Sequence, residues 1–463
     1  MVILSVIMSL FVAIQDPIFQ KFIVRIAGGY LSSKTDTEIL IGSLTISPDF
    51  TIHFNDIVLK DQKDNNLIKA KTIKARPYME ELIHGRIIID RVEMRNAETN
   101  LITYEGEDKM NFQFLIDAFK NDKEKKDKEP TAIHINEIIV EDLDFQFWNQ
   151  NNDQPEKKDL GLMDYSNIHV KGIQLDLEQL DIVGDSITAM IRNLSASESS
   201  GFELQHLSSK VNVSSLGILL DDLKVKTTNS ELDLDLHMLY PGYHAFSDFV
   251  DSVTFDAIIR PTNMLLSDLG PFAGALYSMP DSLQFEGLFQ GPIRNFEVND
   301  IKLDFGQETH FEGTLAMEPL DFFDGHHRMT IERLYYSIDD IAQFRIPGKS
   351  PTIPLPQMLS SLGRGTIRGF FEGSYNDFRT NLLATSEIGA VSVNLKKNNA
   401  GKGQNVFESH IEAEQLNIGT LTNSPNLLSD IDISADIDGR QSNQDGLDLK
   451  LKGDVLNLTL LGN

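Results

Sequence analysis

The sequence predicts a mainly β protein: an elongated, curved sheet of the antiparallel type that forms a repeating, taco-like β-groove, with an N-terminal helix and a few short helices. Two segments predict it most clearly, Leu283–Phe296 and Gly365–Phe378, in which apolar residues and glycines alternate with polar residues. A period of two is typical of a strand with one apolar face and one wet face. The two segments also match at an offset of 82 residues (369 − 287 = 82), as in an array of stacked units.

The same alternation predicts strands along most of the chain. The clearest is Glu231–Met238, with four apolar side chains on one face and four polar side chains on the other. Further strands are predicted at Ile39–Ile46, Thr51–Leu59, Leu67–Ile73, Ile133–Phe147, Ile168–Leu177, Val253–Ile259, Val391–Leu395, Phe407–Ile418, Ile431–Ile437 and Leu447–Leu460. Helical breaks are predicted within Met110–Phe119 and Asn263–Ser278 and near Pro351–Leu362, and the dipeptides Asp438-Gly439 and Asp445-Gly446 predict turns.

Composition restricts the classes of function. The chain has 463 residues and a formal charge of −28, which argues against nucleic acid and against flat docking on anionic headgroups. It contains no cysteine, so disulfides, thiolate metal sites and cysteine nucleophiles are excluded. Its 27 phenylalanines against 10 tyrosines and one tryptophan favour a dry surface over a hydrogen-bonding site.

The N-terminus predicts a membrane anchor at residues 1–15. Its uncharged segment, Val2–Ile14, is about 20 Å long as a helix, short of a full bilayer span, so a trimmed anchor, a signal-peptide core and a buried segment all stay open. The anchor residues are Val2, Ile3, Leu4, Val6, Ile7, Leu10, Phe11, Val12 and Ile14. From Asp16-Pro17 an amphipathic helix is predicted, which caps the sheet or lies at a membrane surface.

Four regions follow from this pattern. Residues 16–120 hold the amphipathic helix and the start of the groove, and the mixed-charge run at 121–130 is a linker or loop. Residues 131–463 form the body of the groove, which we expect to be truncated because the sequence stops inside a strand repeat.

Thirteen residues on the apolar parity of the strands are predicted to line the groove. Glycines on this parity, including Gly291 and Gly373, are expected to allow curvature and to leave room for bound chains. The thirteen are Phe285, Gly287, Phe289, Phe311, Leu315, Ile367, Gly369, Phe371, Ile411, Ile433, Ile437, Leu449 and Leu451.

No catalytic or metal-binding constellation emerges from the sequence, so we expect neither an enzyme nor a cofactor. His326-His327 is a poor metal site, because neighbours on a strand point to opposite faces. The aspartates between Asp430 and Asp438 do not meet the spacing of a calcium loop, since Ser434 interrupts them.

Over most of its length the chain resembles the AsmA-like family, particularly its translocation and assembly module (TamB) branch. The resemblance lies in TEILIGSLTIS, NDIVLKDQKDNNLIKAKTI, ELIHGRIIIDRVEMRNAETNL and KMNFQFLIDAF, in that order, and the later F-x-G-x-F-x-G repeats fit the same family. The chain departs from the family pattern at both ends, since the anchor lacks a basic start and a family-type C-terminal domain is missing.

The resemblance implies a periplasmic protein with a single-pass anchor in the inner membrane of a Gram-negative envelope. It implies phospholipid as cargo, carried from the inner toward the outer membrane, and an outer-membrane barrel protein as partner. Two alternatives stay open: an assembly factor that templates outer-membrane barrel strands at its edges, and a closed structural β-solenoid with a dry core.

Overall fold

A computed structural model describes residues 35, 37–84, 86–115, 132–153, 155–279, 281–319, 325–343, 357–401, 404–422, 428–442 and 446–460. The predicted anchor at 1–15, the amphipathic helix at 16–31 and the charged run at 121–130 lie outside these residues. Within the described part of the chain, no helix combines the length and the apolar character needed to cross a membrane.

Strands make up 69% of the structure and form an open, curved sheet, which confirms the predicted fold class. Spatial contacts divide the chain into two units. The first comprises Met1–Ser230 and Asp268–Gly274, and the second comprises Glu231–Ser267 and Ala275–Asn463.

The described strands follow the alternation of the sequence. Those of the first unit are β1 (Ile39–Ile46), β2 (Ile52–Lys60), β3 (Asn66–Pro77), β4 (Ile87–Thr103), β5 (Ala132–Asn149), β6 (Asn167–Val183), β7 (Ser186–Glu198), β8 (Glu203–Ser214) and β9 (Gly217–Lys226). Those of the second unit are β10 (Glu231–Leu239), β11 (Thr254–Leu265), β12 (Ser282–Pro292), β13 (Phe296–Phe305), β14 (Thr309–Glu318), β15 (His326–Ser337), β16 (Arg364–Ser374), β17 (Asp377–Ser386), β18 (Gly389–Gly401), β19 (Gln404–Asn417), β20 (Leu428–Ser442) and β21 (Gly446–Leu460).

Short helices interrupt the connections. The α-helical turns are α1 (Met79–Ile83), α2 (Pro155–Asp159), α3 (Phe249–Ser252), α4 (Ile338–Gln343), α5 (Gln357–Ser360) and α6 (Ile418–Leu421), and the 3₁₀ turns are Gln150–Asn152, Tyr243–Asp248, Leu266–Leu269 and Gly274–Ser278. The breaks predicted within Asn263–Ser278 and near Pro351–Leu362 are thus present. The turn predicted at Asp438-Gly439 is wrong: both residues pair with β19 inside β20, where a Cβ on Gly439 would overlap the Phe407 ring.

One strand pair departs from the antiparallel pattern. β4 and β5 run parallel along their length, with Met94 beside Val140. A parallel pair requires a connection of a dozen or more residues to return the chain to the starting edge, and residues 104–131 supply that length. The predicted linker at 121–130 therefore joins two strands that pair directly.

A four-residue motif bends many of the strands. The motif begins with an apolar residue, followed by a polar residue. The third residue is an Asp, Asn or Gln with positive φ, and the fourth is again apolar. In β13, for example, Val298 pairs with Leu315 and Ile301 pairs with Gly313. An advance of three residues along β13 therefore matches an advance of two residues along β14. Such bulges bend a strand and increase its twist, which gives the sheet a source of curvature besides glycine. The positive-φ residues, at 48–63°, are Asp56, Asn96, Asp142, Gln179, Asp222, Asp300 and Gln415.

Buried and half-buried carboxylates fix the turns at the strand ends. Asp340 in α4 accepts hydrogen bonds from the backbone N–H groups of Gln307, Glu308 and Thr309 at 2.9–3.1 Å and from the Thr309 hydroxyl at 3.0 Å. Burial acts to raise the pKa of Asp340, but these hydrogen bonds outweigh it and hold the pKa below its ordinary value. Asp268 caps the turn after β9 by accepting hydrogen bonds from the Thr227 and Ser230 hydroxyls and from the side-chain amide and backbone N–H of Asn229.

Replacing Asp340 by alanine should lower the free energy of unfolding by about 1–3 kcal/mol, because three backbone N–H groups lose their acceptor. Since the folded pKa is depressed, the contribution is present above about pH 4 and is lost as the pH falls through the folded pKa. Urea denaturation at pH 7 and at pH 3 measures both effects. Asp339→Ala, at the exposed neighbouring position, is the control, and an equal loss in the two variants would contradict the cap.

Candidate functional site: an apolar face

One row of side chains crosses every strand of the second unit. Directly paired residues point to the same face of a sheet, so the register places this central row on one face. The central row is Leu236, Ala257, Phe289, Val298, Leu315, Met329, Phe371, Thr380, Leu395, Ser409, Ile437 and Leu451. Ten of these twelve side chains are hydrocarbon or thioether, so the row is an apolar band.

Three further rows lie beside the central row on the same face, about 7 Å apart along the strands. The inner row is Leu234, Ile259, Gly287, Ile301, Gly313, Ile331, Gly369, Leu382, Val393, Ile411, Ala435 and Gly453. The far row is Phe285, Leu303, Phe311, Leu334, Ile367, Ala384, Val391, Ala413, Ile433 and Val455. The marginal row is Phe296, Met317, His327, Gly373, Phe378, Lys397, Phe407, Gly439 and Leu449.

The four rows contain all thirteen residues predicted to line a groove. Five lie in the central row: Phe289, Leu315, Phe371, Ile437 and Leu451. Three lie in the inner row, Gly287, Gly369 and Ile411; four in the far row, Phe285, Phe311, Ile367 and Ile433; and Leu449 in the marginal row. The structure thus brings them onto one face, while their contact with a ligand stays a prediction.

The first unit repeats the arrangement. Its central row is apolar throughout and crosses each of its described strands, including the parallel pair. That row is Leu44, Phe54, Ile73, Met94, Val140, Leu175, Leu194, Leu207 and Val225.

The apolar face is only partly covered. Phe289, Leu315 and Phe371 are half-buried, and Leu451 on β21 is 67% exposed. Four apolar central-row side chains, those of Leu44, Val140, Ala257 and Val298, are buried at 4–7% exposure, whereas most of the others in these rows are half-buried. A sealed core would bury a central row completely, so the face is open to an apolar occupant.

At three positions of the face, the backbone conformation requires a glycine. Gly291, Gly369 and Gly373 have φ of +109°, +143° and +132°, and a Cβ on each would overlap a backbone carbonyl of the following turn or strand. Gly287 differs: its φ is ordinary, and a Cβ would lie 3.2 Å from the Asn299 carbonyl oxygen. The space beside the first three is therefore occupied by protein and is not left for a bound chain.

An aromatic cluster covers one margin of the face. The connection after β10 carries Phe249, whose ring lies 5.7 Å from Phe255; Phe255 lies 6.2 Å from Phe289, and Phe289 lies 5.0 Å from Phe296. The backbone N–H of Arg294 donates to the Val250 carbonyl at 3.1 Å, which ties this connection to the turn after β12. Phe249 was missed from the sequence, although its segment, HAFSDFV, is apolar enough to have suggested a cover.

The opposite face is polar, and several of its charges pair across the strands. Arg260 contacts Asp233 at 2.8 Å and Asp235 at 2.5 Å, and Lys302 pairs with Glu286. Within the described part of the chain, no group of three or more His, Asp or Glu side chains could hold a metal ion. This face has the composition of a surface in contact with water.

Histidines on the polar face lie between carboxylates. His310 contacts Asp304 on β13 and Glu312 on its own strand, and its cross-strand neighbour on β15 is Tyr335. Hydrogen bonds to Asp304 and then to Glu312 raise the pKa of His310, and Asp436 and Glu412 act likewise on His410.

Replacing His310 by glutamine should therefore lower the free energy of unfolding mainly at acidic pH. A raised folded pKa adds stability that is complete below the unfolded value of about 6.5 and is lost as the pH rises through the folded pKa. The expected loss is under about 1 kcal/mol. Melting temperatures of the two proteins between pH 5.5 and 8.5 should converge as the pH rises, and a constant difference would contradict the pairing.

Comparison of the chain with protein-family models, with curated proteins and with solved structures finds no match.

Proposed function

We propose that this chain carries phospholipid along its apolar face, as a membrane-anchored bridge in the periplasm between the inner and outer membranes. The observation that supports carriage is the central row, which crosses every described strand of each unit and in which most side chains are only half-buried. The anchor, the location, the direction and the barrel-protein partner are proposed from the sequence resemblance.

The energetics favour an acyl chain as occupant. Exposed apolar patches of more than a few hundred Å² mark binding surfaces in soluble proteins, and each methylene that leaves water contributes about 0.8 kcal/mol. Because contact along a row needs no particular hydrogen bond, a lipid could move from one strand to the next at little cost. The mechanism is solvation of the chains, without a chemical step.

A second candidate, strand templating for an outer-membrane barrel protein, is proposed from the sequence resemblance alone. It would require an extended peptide to pair with a free strand edge. A closed solenoid, the third alternative, does not fit an open sheet whose central rows are not fully buried.

The proposal is tested on the whole chain, purified without lipid-extracting detergent and examined by native mass spectrometry. Truncation at residue 131 is avoided because it would remove β4 from its partner β5. Stoichiometric phospholipid, released on denaturation and identified by extraction, supports carriage. A well-folded protein free of lipid, before and after incubation with phospholipid vesicles, would overturn it and favour strand templating.

A further inference from the structure

The apolar face carries one lysine. The four rows of the second unit and the central row of the first contain no aspartate or glutamate, and their ionisable side chains are His327 and Lys397. Lys397 lies in the marginal row, paired with Phe378 on β17 and with Phe407 on β19. A cation is therefore placed among aromatic rings where the other strands carry apolar side chains or glycine.

The surroundings of Lys397 differ from those of the bases on the polar face. Its ammonium donates a hydrogen bond to the Tyr375 carbonyl at 3.0 Å and lies 4.6 Å from the centre of the Tyr375 ring and 5.9 Å from that of Phe378. Among the described residues no carboxylate forms an ion pair with it, whereas Arg379 on the opposite face is paired with Glu372. A single hydrogen bond also leaves donors of the ammonium available.

The location of Lys397 fits the boundary between a lipid's chains and its headgroup. Tyr375 lies in the turn between β16 and β17 and is 51% exposed. The Lys397 ammonium therefore reaches the solvent-exposed end of the strands, while the aliphatic part of the side chain lies on the apolar face. Two residues along the same strand, Leu395 belongs to the central row. A phosphate at Lys397 would thus stay in water while attached acyl chains lie over the central row.

We propose that Lys397 binds the phosphate of an anionic phospholipid whose acyl chains occupy the apolar face. The inference rests on the proposed function and adds a preference to it. The chain carries a net charge of −28, so its field disfavours anionic headgroups in general. The Lys397 ammonium, which no described carboxylate neutralises, attracts an anionic headgroup locally in spite of this field. A charge-assisted contact to phosphate is among the stronger hydrogen bonds.

The test offers the full chain equal amounts of phosphatidylglycerol and phosphatidylcholine with identical acyl chains, in mixed vesicles, and measures the bound ratio by native mass spectrometry. Both lipids carry a phosphodiester, but the choline ammonium of phosphatidylcholine offsets its charge, so we expect the charge-assisted contact to enrich phosphatidylglycerol about five- to tenfold. Lys397→Met, which keeps the apolar stem, should bind the same total lipid in a ratio of one or less, because the net charge of −28 then acts alone. Lys397→Arg should keep the preference. Lys396→Met is the matched control, because Lys396 is exposed on the opposite face.

The outcomes separate the two proposals. Absence of lipid from the wild-type chain overturns the proposed function and this inference together. Lipid bound without a headgroup preference, or with a preference that Lys397→Met retains or Lys396→Met also loses, overturns only the role of Lys397. Displacement of phosphatidylglycerol by millimolar inorganic phosphate would assign the site to free phosphate and overturn the headgroup. Circular dichroism and melting temperatures of the variants confirm that each one is folded.

Discussion

Replacing Phe371 by glutamate should lower the amount of bound phospholipid at least about tenfold while the protein stays folded. Phe371 lies in the central row between Met329 and Thr380, with its ring 5.1 Å from Phe378. A carboxylate there would be desolvated by any acyl chain lying across it, and an unpaired buried charge costs several kcal/mol. Because the ring is only half-buried, its loss should cost the fold less than the 3–5 kcal/mol of a fully buried phenylalanine.

The neighbouring residue supplies the control for this variant. Phe370 points to the opposite face, is 37% exposed and lies 5.9 Å from the Arg379 guanidinium. Phe370→Glu introduces the same charge beside a base and should leave bound lipid unchanged. Native mass spectrometry and vesicle-to-vesicle transfer of a fluorescent lipid measure both variants, and equal behaviour of the two would count against the apolar face as the site.

Replacing Gly369 by alanine should lower the free energy of unfolding by about 2–4 kcal/mol, the largest stability effect that we expect from one added methyl group. The φ of +143° is strained for any L side chain, and the Cβ would overlap the Asn381 carbonyl oxygen on β17. Urea denaturation followed by circular dichroism measures the loss.

Gly287→Ala is the comparison, since Gly287 lies in the same row with an ordinary φ and its nearest foreign atom is 3.2 Å from the added Cβ. Its cost should be below about 1 kcal/mol. If both glycines instead served to leave room for lipid, both variants would lose bound lipid at nearly unchanged stability. That result would reject the backbone role assigned to Gly369.

The sequence was sufficient for the strands and for the choice of face, because both depend on local alternation. In Glu231–Leu239, alternate residues are apolar, which predicts a strand with one apolar face whatever its neighbours are. The same alternation places the thirteen predicted lining residues on one face. Strand direction was not predictable: alternation along β4 and β5 is the same for a parallel and an antiparallel pair, and only the length of the connection hints at the difference.

Register was harder to predict than the face. Residues such as Asp300 shift the alternation by one position, so the row to which Ile301 or Leu303 belongs depends on a left-handed residue within the strand. The signal was present in the sequence as a recurring apolar–polar–Asp/Asn/Gln–apolar pattern, seen in FNDI, VEDL and VNDI. Lys397 was missed because its position beside Phe378 and Phe407 follows from pairing across three strands.

The offset of 82 residues has a consequence for how such a chain can change in evolution. Phe289 on β12 and Phe371 on β16 are corresponding residues, and both lie in the central row, four strands apart. Loss of the segment from β12 through β15 would bring β16 next to β11, with Phe371 in the place of Phe289 beside Ala257. A duplication would do the reverse. Homologous chains could therefore differ in length by whole four-strand modules and span different distances, without a single compensating substitution in the apolar path.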